Sequence, residues 1–156
     1  MAKNPRRNAF TLIEVLIVVI IMAVLAATII PQFSSSTTDA KTSALQFNVH
    51  TIRSQIELYK TQHLGTVPTL AKFADQMTKQ TDVNGNTTGD ATTLIYGPYI
   101  QTQVPANSFN GSNALVKVAT PGTPPTGVVA GGAGWQYDES NGGFFPNNKE
   151  AYQAGT

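Results

Sequence analysis

The residues that could bind a metal are concentrated in one stretch rich in acids and amides, DVNGNTTGD, at residues 82–90. Asp82, Asn84, Asn86 and Asp90 offer oxygen atoms, the donors that Ca²⁺ prefers. A calcium loop of the EF-hand type also needs a glycine at its sixth position and a bidentate glutamate at its twelfth, and this stretch has neither. We therefore interpret it as a turn centred on Asn-Gly and expect no metal site there.

Catalytic residue patterns are absent from the rest of the sequence. His50 and His63 have no carboxylate cluster beside them, so we interpret them as solvated or packing histidines. The chain has no cysteine, no nucleophile elbow and no phosphate-binding glycine loop. Its net charge is +1 and its only basic cluster is at the N terminus, which argues against a nucleic-acid partner. We expect a protein that is not an enzyme.

The aromatic residues near the C terminus are also interpreted structurally. Trp135, Tyr137, Phe144 and Phe145 occur in two short runs separated by DESNGG, a sequence typical of a hairpin loop. Their spacing favours core positions and cross-strand pairs over a ligand platform.

One carboxylate stands in an unexpected place, because Glu14 lies inside an apolar run. Residues 12–30 contain only Glu14 and Thr28 as polar residues, and about 20 apolar residues suffice to span a bilayer. In lipid a single segment must be helical to satisfy its backbone, and a charged residue within it marks function. The residues predicted to contact the membrane are Leu12, Ile13, Val15, Leu16, Ile17, Val18, Val19, Ile20, Ile21, Leu25, Ile29 and Ile30.

The charges flanking this run predict its orientation. Lys3, Arg6 and Arg7 precede it and the next charge is Asp39, so the positive-inside rule leaves the N terminus in the cytoplasm and exports the rest. A secretory signal peptide cut after Ala27 is the alternative. It would explain neither the length of the apolar run nor Glu14.

The helix is predicted to continue beyond the membrane. No Gly or Pro occurs between Phe33 and His63, and apolar residues recur every three or four positions at Leu45, Val49, Ile52, Ile56 and Tyr59. We predict one helix, bent near Pro31 and ended near Gly65, over two helices broken at the serines 34–36.

The remainder predicts a small, turn-rich head. All 13 glycines and seven of the nine prolines lie in residues 64–156. We predict a short helix after an N-cap at Thr69, a long loop at 120–134, and strands at residues 92–96, 114–119, 134–137 and 143–145. The predicted fold class is α+β, with a long transmembrane and amphipathic helix packed on a head of short antiparallel strands.

The N terminus resembles type IV pilins and the pseudopilins of type II secretion. The resemblance rests on a basic leader, a small residue and FTLIEVLIVVIIMAVLAATIIPQF, and weaker matches such as YKTQHLGTVPTL and GWQYDESNGGFFPN make it most similar to the major pseudopilin. It implies a lollipop-shaped subunit with a leader at 1–9, a transmembrane helix at 10–31, its amphipathic continuation at 32–64 and a head at 65–156.

The resemblance also implies residue roles. A prepilin peptidase would cut between Ala9 and Phe10 and methylate the Phe10 amine, although the family usually has Gly where this chain has Ala9. Glu14 would pair with the Phe10 amine of a neighbouring subunit during assembly, and Pro31 would kink the helix. The major pseudopilin has an acidic calcium loop near its C terminus. Here only Asp138 and Glu139 occur in that region before Glu150, so we expect no cofactor.

The expected function is that of a structural subunit of a type II secretion pseudopilus. Its implied partners are further copies of itself, the peptidase, an inner-membrane assembly platform, minor pseudopilins and, before assembly, membrane lipid. It would be a single-pass inner-membrane protein with a periplasmic head, later part of a periplasmic or surface filament. Three alternatives stay open: a type IV pilus subunit, a membrane-anchored periplasmic binding domain that never polymerises, and a secreted soluble domain.

Overall fold

A single helix dominates the computed structural model, which describes residues 10–153. Helix α1 spans Leu12–Gln62, 51 residues, with Pro31 inside it. The prediction of one helix in place of two is confirmed, and the serines at 34–36 do not break it. Within this segment Ser35 donates its hydroxyl to Gln32 O at 3.0 Å, which satisfies the side chain inside the helix. The bend at Pro31 stays a prediction. The leader, residues 1–9, lies outside the described residues.

The chain divides into two compact units at residue 40. In the first, the described residues are the N-terminal part of α1 and the two residues before it. The second, Lys41–Thr156, contains the rest of α1 and all other helices and strands.

The core of the second unit is built on the predicted apolar stripe of α1. The buried residues of the helix are the five predicted ones, Leu45, Val49, Ile52, Ile56 and Tyr59. They pack in one cluster with aromatic side chains from the rest of the unit, namely Phe73, Tyr99, Trp135, Tyr137 and Phe144. The helix therefore forms one layer of the core, as predicted.

The end of α1 has an unusual residue in its cap. Gly65 N donates to Lys60 O at 2.9 Å, the six-to-one bond of a Schellman motif. This places Leu64, with φ at +55°, in the left-handed position that normally holds glycine. Gly65 follows with φ at +84°. The predicted stop near Gly65 is confirmed, but a leucine takes the strained position.

The short helix after residue 69 begins as a 3₁₀ turn, Leu70–Lys72, and continues as α2, Phe73–Thr78. Thr69 stands at the N-cap position, yet its side chain makes no capping bond. Instead Glu139 Oε1 accepts the Leu70 N–H at 2.5 Å from a distant turn. The expectation that Thr69 caps the helix was wrong, since its hydroxyl makes no capping bond and donates to Gln76 Oε1 at 3.4 Å instead.

A three-stranded sheet forms the opposite layer, in the order β1 (Leu115–Lys117), β2 (Trp135–Asp138), β3 (Gly143–Pro146). The predicted hairpin is confirmed, since β2 and β3 pair antiparallel with Asp138 opposite Gly143. β1 pairs parallel to β2, with Leu115 opposite Trp135. The expected antiparallel head is therefore a mixed sheet, because the loop after β1 crosses over before β2 begins. A short helix α3, Lys149–Gln153, was not predicted.

The predicted strand at residues 92–96 is absent. Asp90 organises this segment instead, because its carboxylate accepts Thr92 N at 2.9 Å and its carbonyl accepts Thr93 N and Leu94 N. Only one isolated bridge remains, between Thr81 and Tyr96. An acid directly before a β-prone run thus diverted the backbone into a turn.

Candidate assembly site

The apolar part of α1 is exposed along its whole length. The twelve residues predicted to contact the membrane are between 45% and 85% exposed. By length and composition this part of the helix could cross a membrane, and no residue of its most apolar stretch is buried. A helix that is apolar on all sides needs a membrane or other helices around it.

Glu14 lies at the start of this helix and takes part in a capping box. Its Oε2 atom accepts hydrogen bonds from the backbone N–H and the hydroxyl of Thr11, both at 2.8 Å. In return Glu14 N donates to Thr11 Oγ1 at 3.3 Å. Thr11 is the N-cap and Glu14 the third helical residue, the spacing at which Thr and Glu satisfy each other's backbone donors.

The capping box leaves half of the carboxylate available. Among residues 10–153, no hydrogen bond is made to Glu14 Oε1. The sequence reasoning missed this local role, although the pattern T-x-x-E before an apolar run is its signal. Glu14 can therefore start its own helix through one oxygen and present the other to a partner.

The other predicted site residues lie along the same segment. Phe10, directly before Thr11, is 86% exposed. Pro31 lies inside α1. Ala9 lies outside the described residues, so the cleavage position stays a prediction. The structure thus brings Thr11 and Glu14 together and places Phe10 next to them in the chain.

The residues with potential metal chemistry serve local structure. Asp82 accepts Asn84 N at 2.9 Å and Asn86 N at 2.8 Å through Oδ1, which closes the predicted Asn-Gly turn. His50 is exposed. His63 is buried and stacks on Tyr59, with ring centroids 3.7 Å apart. The interpretation of both histidines as solvated or packing residues is confirmed.

The acids of the C-terminal region are bonded to the protein itself. Asp138 is buried, and its carboxylate accepts Gly122 N at 2.6 Å and the N–H and hydroxyl of Ser140. Burial raises the pKa of Asp138, but the hydrogen bonds from Ser140 and Gly122 outweigh burial and hold that pKa below its ordinary value. Glu139 is occupied by Leu70 N. Within residues 10–153, no three acids or histidines come close enough to share a metal.

Arg53 connects α1 to the sheet. Arg53 Nε donates to Phe144 O at 2.8 Å, and its guanidinium lies 4.9 Å from the centre of the Phe145 ring. Glu57 is paired with Lys60 at 3.9 Å. Arg53 therefore joins the helix to the edge of the sheet, and Phe145 packs under a cation at the edge of the core.

These features define a class at the N terminus: an exposed apolar helix with a carboxylate in its first turn, preceded in the sequence by a short basic segment. Residues 4–30, which include Phe10 and Glu14, match the family described as "Prokaryotic N-terminal methylation motif". The similarity of this segment to prepilin-like proteins, predicted from its residues, is thereby confirmed.

A particular relative extends the comparison. The chain is 34% identical over 58 residues to the type II secretion system core protein G of Pseudomonas aeruginosa. The match covers 37% of this chain and 41% of that protein, so the chain spans less than half the length of this relative. No solved structure matches the chain.

Proposed function

We propose that this protein is the structural subunit of a type II secretion pseudopilus. In this proposal a prepilin peptidase removes residues 1–9 and methylates Phe10. The subunit waits in the inner membrane with its head in the periplasm, then polymerises through its N-terminal helix on an assembly platform, with minor pseudopilins as further partners. The role is structural and not catalytic.

The observation that carries the proposal is Glu14 at the start of an exposed apolar helix. Cleavage before Phe10 would create an α-amine that stays cationic when methylated. Four residues along a helix correspond to about 6 Å, so a staggered neighbour can bring its amine level with Glu14. Glu14 Oε1, which has no hydrogen-bond partner among residues 10–153, could accept that bond.

The exposed helix supports storage in a membrane. Burying twelve large apolar side chains is worth roughly 20–35 kcal/mol, at about 1.5–3 kcal/mol each. The unassembled subunit could not leave this surface in water without aggregating. Lipid and a filament core both cover it.

The similarity to core protein G favours the secretion system over a type IV pilus. It covers part of the chain and names one system, whereas the description of the methylation motif names none. A non-polymerising anchored domain would use Glu14 for its capping box alone and would give no role to the second carboxylate oxygen.

Two measurements test the proposal in the native host. Intact-mass analysis of purified protein should give a chain that begins at Phe10 with one added methyl group. Overproduction should give fibres that can be sheared from cells and that contain the protein. A mass that includes the leader, or one that begins at residue 28, would contradict the processing step. Correct processing without fibres would favour the anchored binding domain.

A further inference from the structure

The loop between β1 and β2 covers the second face of the sheet. It runs from residue 118 to residue 134 and contains no acidic residue. Trp135 and Tyr137 of β2 belong to the core, while the alternate residues Gln136 and Asp138 are buried as well. A parallel pair needs such a crossover, which is usually a helix. Here no helix is formed between β1 and β2.

Three polar side chains fasten this loop through its backbone. Asp138 Oδ2 accepts Gly122 N at 2.6 Å, and Gln136 Nε2 donates to Gly127 O at 2.8 Å. Asn147, directly after β3, accepts Val129 N at 2.8 Å and donates to Val129 O at 3.0 Å, as a paired strand residue would. The loop is thus held at three points along its length.

The donor set of this region does not fit calcium. Ca²⁺ takes six to eight oxygen ligands, with carboxylates among them. The carboxylate of Asp138 is already used by three hydrogen bonds, and that of Glu139 by Leu70 N. Gln136 Oε1 is a buried acceptor without a partner within the described residues, and Gln136 lines a cavity beneath the loop. One neutral oxygen suits a single hydrogen-bond donor such as water.

We infer that the Asp138, Gln136 and Asn147 side chains, and not a bound metal, close the crossover loop onto the sheet of this subunit. In a calcium site the Asp138 carboxylate would bind the cation. Here that carboxylate accepts a hydrogen bond from the Gly122 amide instead. Amide hydrogen bonds to an ionised group are stronger than neutral ones. The inference concerns the folded subunit alone, so its test gives the same answer whether or not subunits assemble.

Hydrogen exchange on the full mature chain in detergent tests the inference. We expect the amides of Gly122 and Val129 to exchange slowly, with no change between 1 mM CaCl₂ and 1 mM EDTA. Asp138→Asn should speed exchange at Gly122 about tenfold or more, since the buried acceptor loses its charge. Asn147→Ala should do the same at Val129. Fluorescence of Trp135, the only tryptophan, should report the same thermal midpoint with calcium and with EDTA.

Asp90→Asn is the matched control, because Asp90 also accepts a backbone N–H and a hydroxyl from the residue two positions ahead, on an exposed loop. It should change neither amide. Calcium that raises the thermal midpoint by several degrees, with the rise lost in Asp138→Asn, would overturn the inference. Unchanged exchange at Gly122 in folded Asp138→Asn would overturn it as well. If Asp138→Asn does not fold, Asn147→Ala and the calcium comparison still decide the question.

Discussion

Replacement of Glu14 separates its capping box from its proposed pairing with a neighbour's amine. Glu14→Gln keeps the cap, because glutamine serves equally at the third helical position. It removes the charge that the neighbour's Phe10 amine requires. Thr11→Val does the reverse, since it removes the hydroxyl that bonds Glu14 but keeps the carboxylate.

The two changes should differ widely in magnitude. Leaving one member of a buried ion pair without its partner costs about 3–5 kcal/mol. At about 1.4 kcal/mol per factor of ten, subunit association should weaken by roughly two to three and a half orders of magnitude. Loss of a helix cap costs about 1 kcal/mol, or about one factor of five. Fibres should therefore disappear in Glu14→Gln and persist in Thr11→Val.

Two further substitutions complete the series. Glu14→Leu should enter the membrane at least as well as the parent, because it removes a charge from the apolar run, and should also fail to assemble. Glu14→Asp should be intermediate, because its side chain is one methylene shorter and stretches the pair.

The assay is the yield of sheared fibres by electron microscopy, divided by the amount of subunit in the membrane fraction. Intact mass must show that residues 1–9 were removed in each variant, since the substitutions lie close to the cleavage position. Fibres at the parent level from processed Glu14→Gln or Glu14→Leu would refute the pairing. So would a loss in Thr11→Val as large as that in Glu14→Gln, which would assign the effect to the cap.

Three predictions concern the stability of the second unit, each followed by Trp135 fluorescence in urea with detergent-solubilised mature protein. Leu64→Gly should raise the free energy of unfolding by about 0.5–1 kcal/mol, because it relieves the left-handed strain and Leu64 is 83% exposed; a loss would show that the leucine packs. Ile56→Val should lower it by about 0.5–1.5 kcal/mol, since Ile56 is buried in the stripe, and no change would contradict that burial. Burial raises the pKa of Tyr59 to about 12, with smaller electrostatic contributions from Tyr99 and Asp82. The folded state therefore keeps a proton that the unfolded state releases near pH 10, so stability should fall between pH 10 and 12, and less steeply in Tyr59→Phe.

The long helix and its buried stripe could be predicted because they depend on local periodicity. The spacing of Leu45, Val49, Ile52, Ile56 and Tyr59 fits one face of a helix and no face of a strand. The hairpin of β2 and β3 was equally readable, since its turn sequence and its aromatic pairs lie close together in the chain. Local signals were sufficient for these elements.

The elements that were missed depend on long-range partners. Thr69 is a good N-cap by type, but Glu139 is the residue that reaches the Leu70 N–H. β1 pairs parallel to β2 through a crossover loop. That loop is held by a hydrogen bond from Gly122 to Asp138, which lies 16 residues further along the chain. Nothing local to these segments encodes the partner. The segment at 92–96 differs, because the competing turn signal, Asp90, was present and was outweighed by β propensity.

The apolar helix could be covered by lipid or by neighbouring helices, so a preference for a filament over the membrane needs a separate cause. Lipid tails cover Leu, Ile and Val side chains as well as a neighbouring helix does, so burial of apolar area gives little preference for assembly. In the proposed filament, the charge of Glu14 inside the segment gives one. In lipid, the unused oxygen of Glu14 has only water or headgroups to accept from, whereas a neighbour's amine offers a cation at a fixed height. The pair need not add much net stability, because desolvation offsets its attraction. It penalises every other stagger, since each leaves a buried charge unpaired, and this penalty is what can select one register for the growing filament.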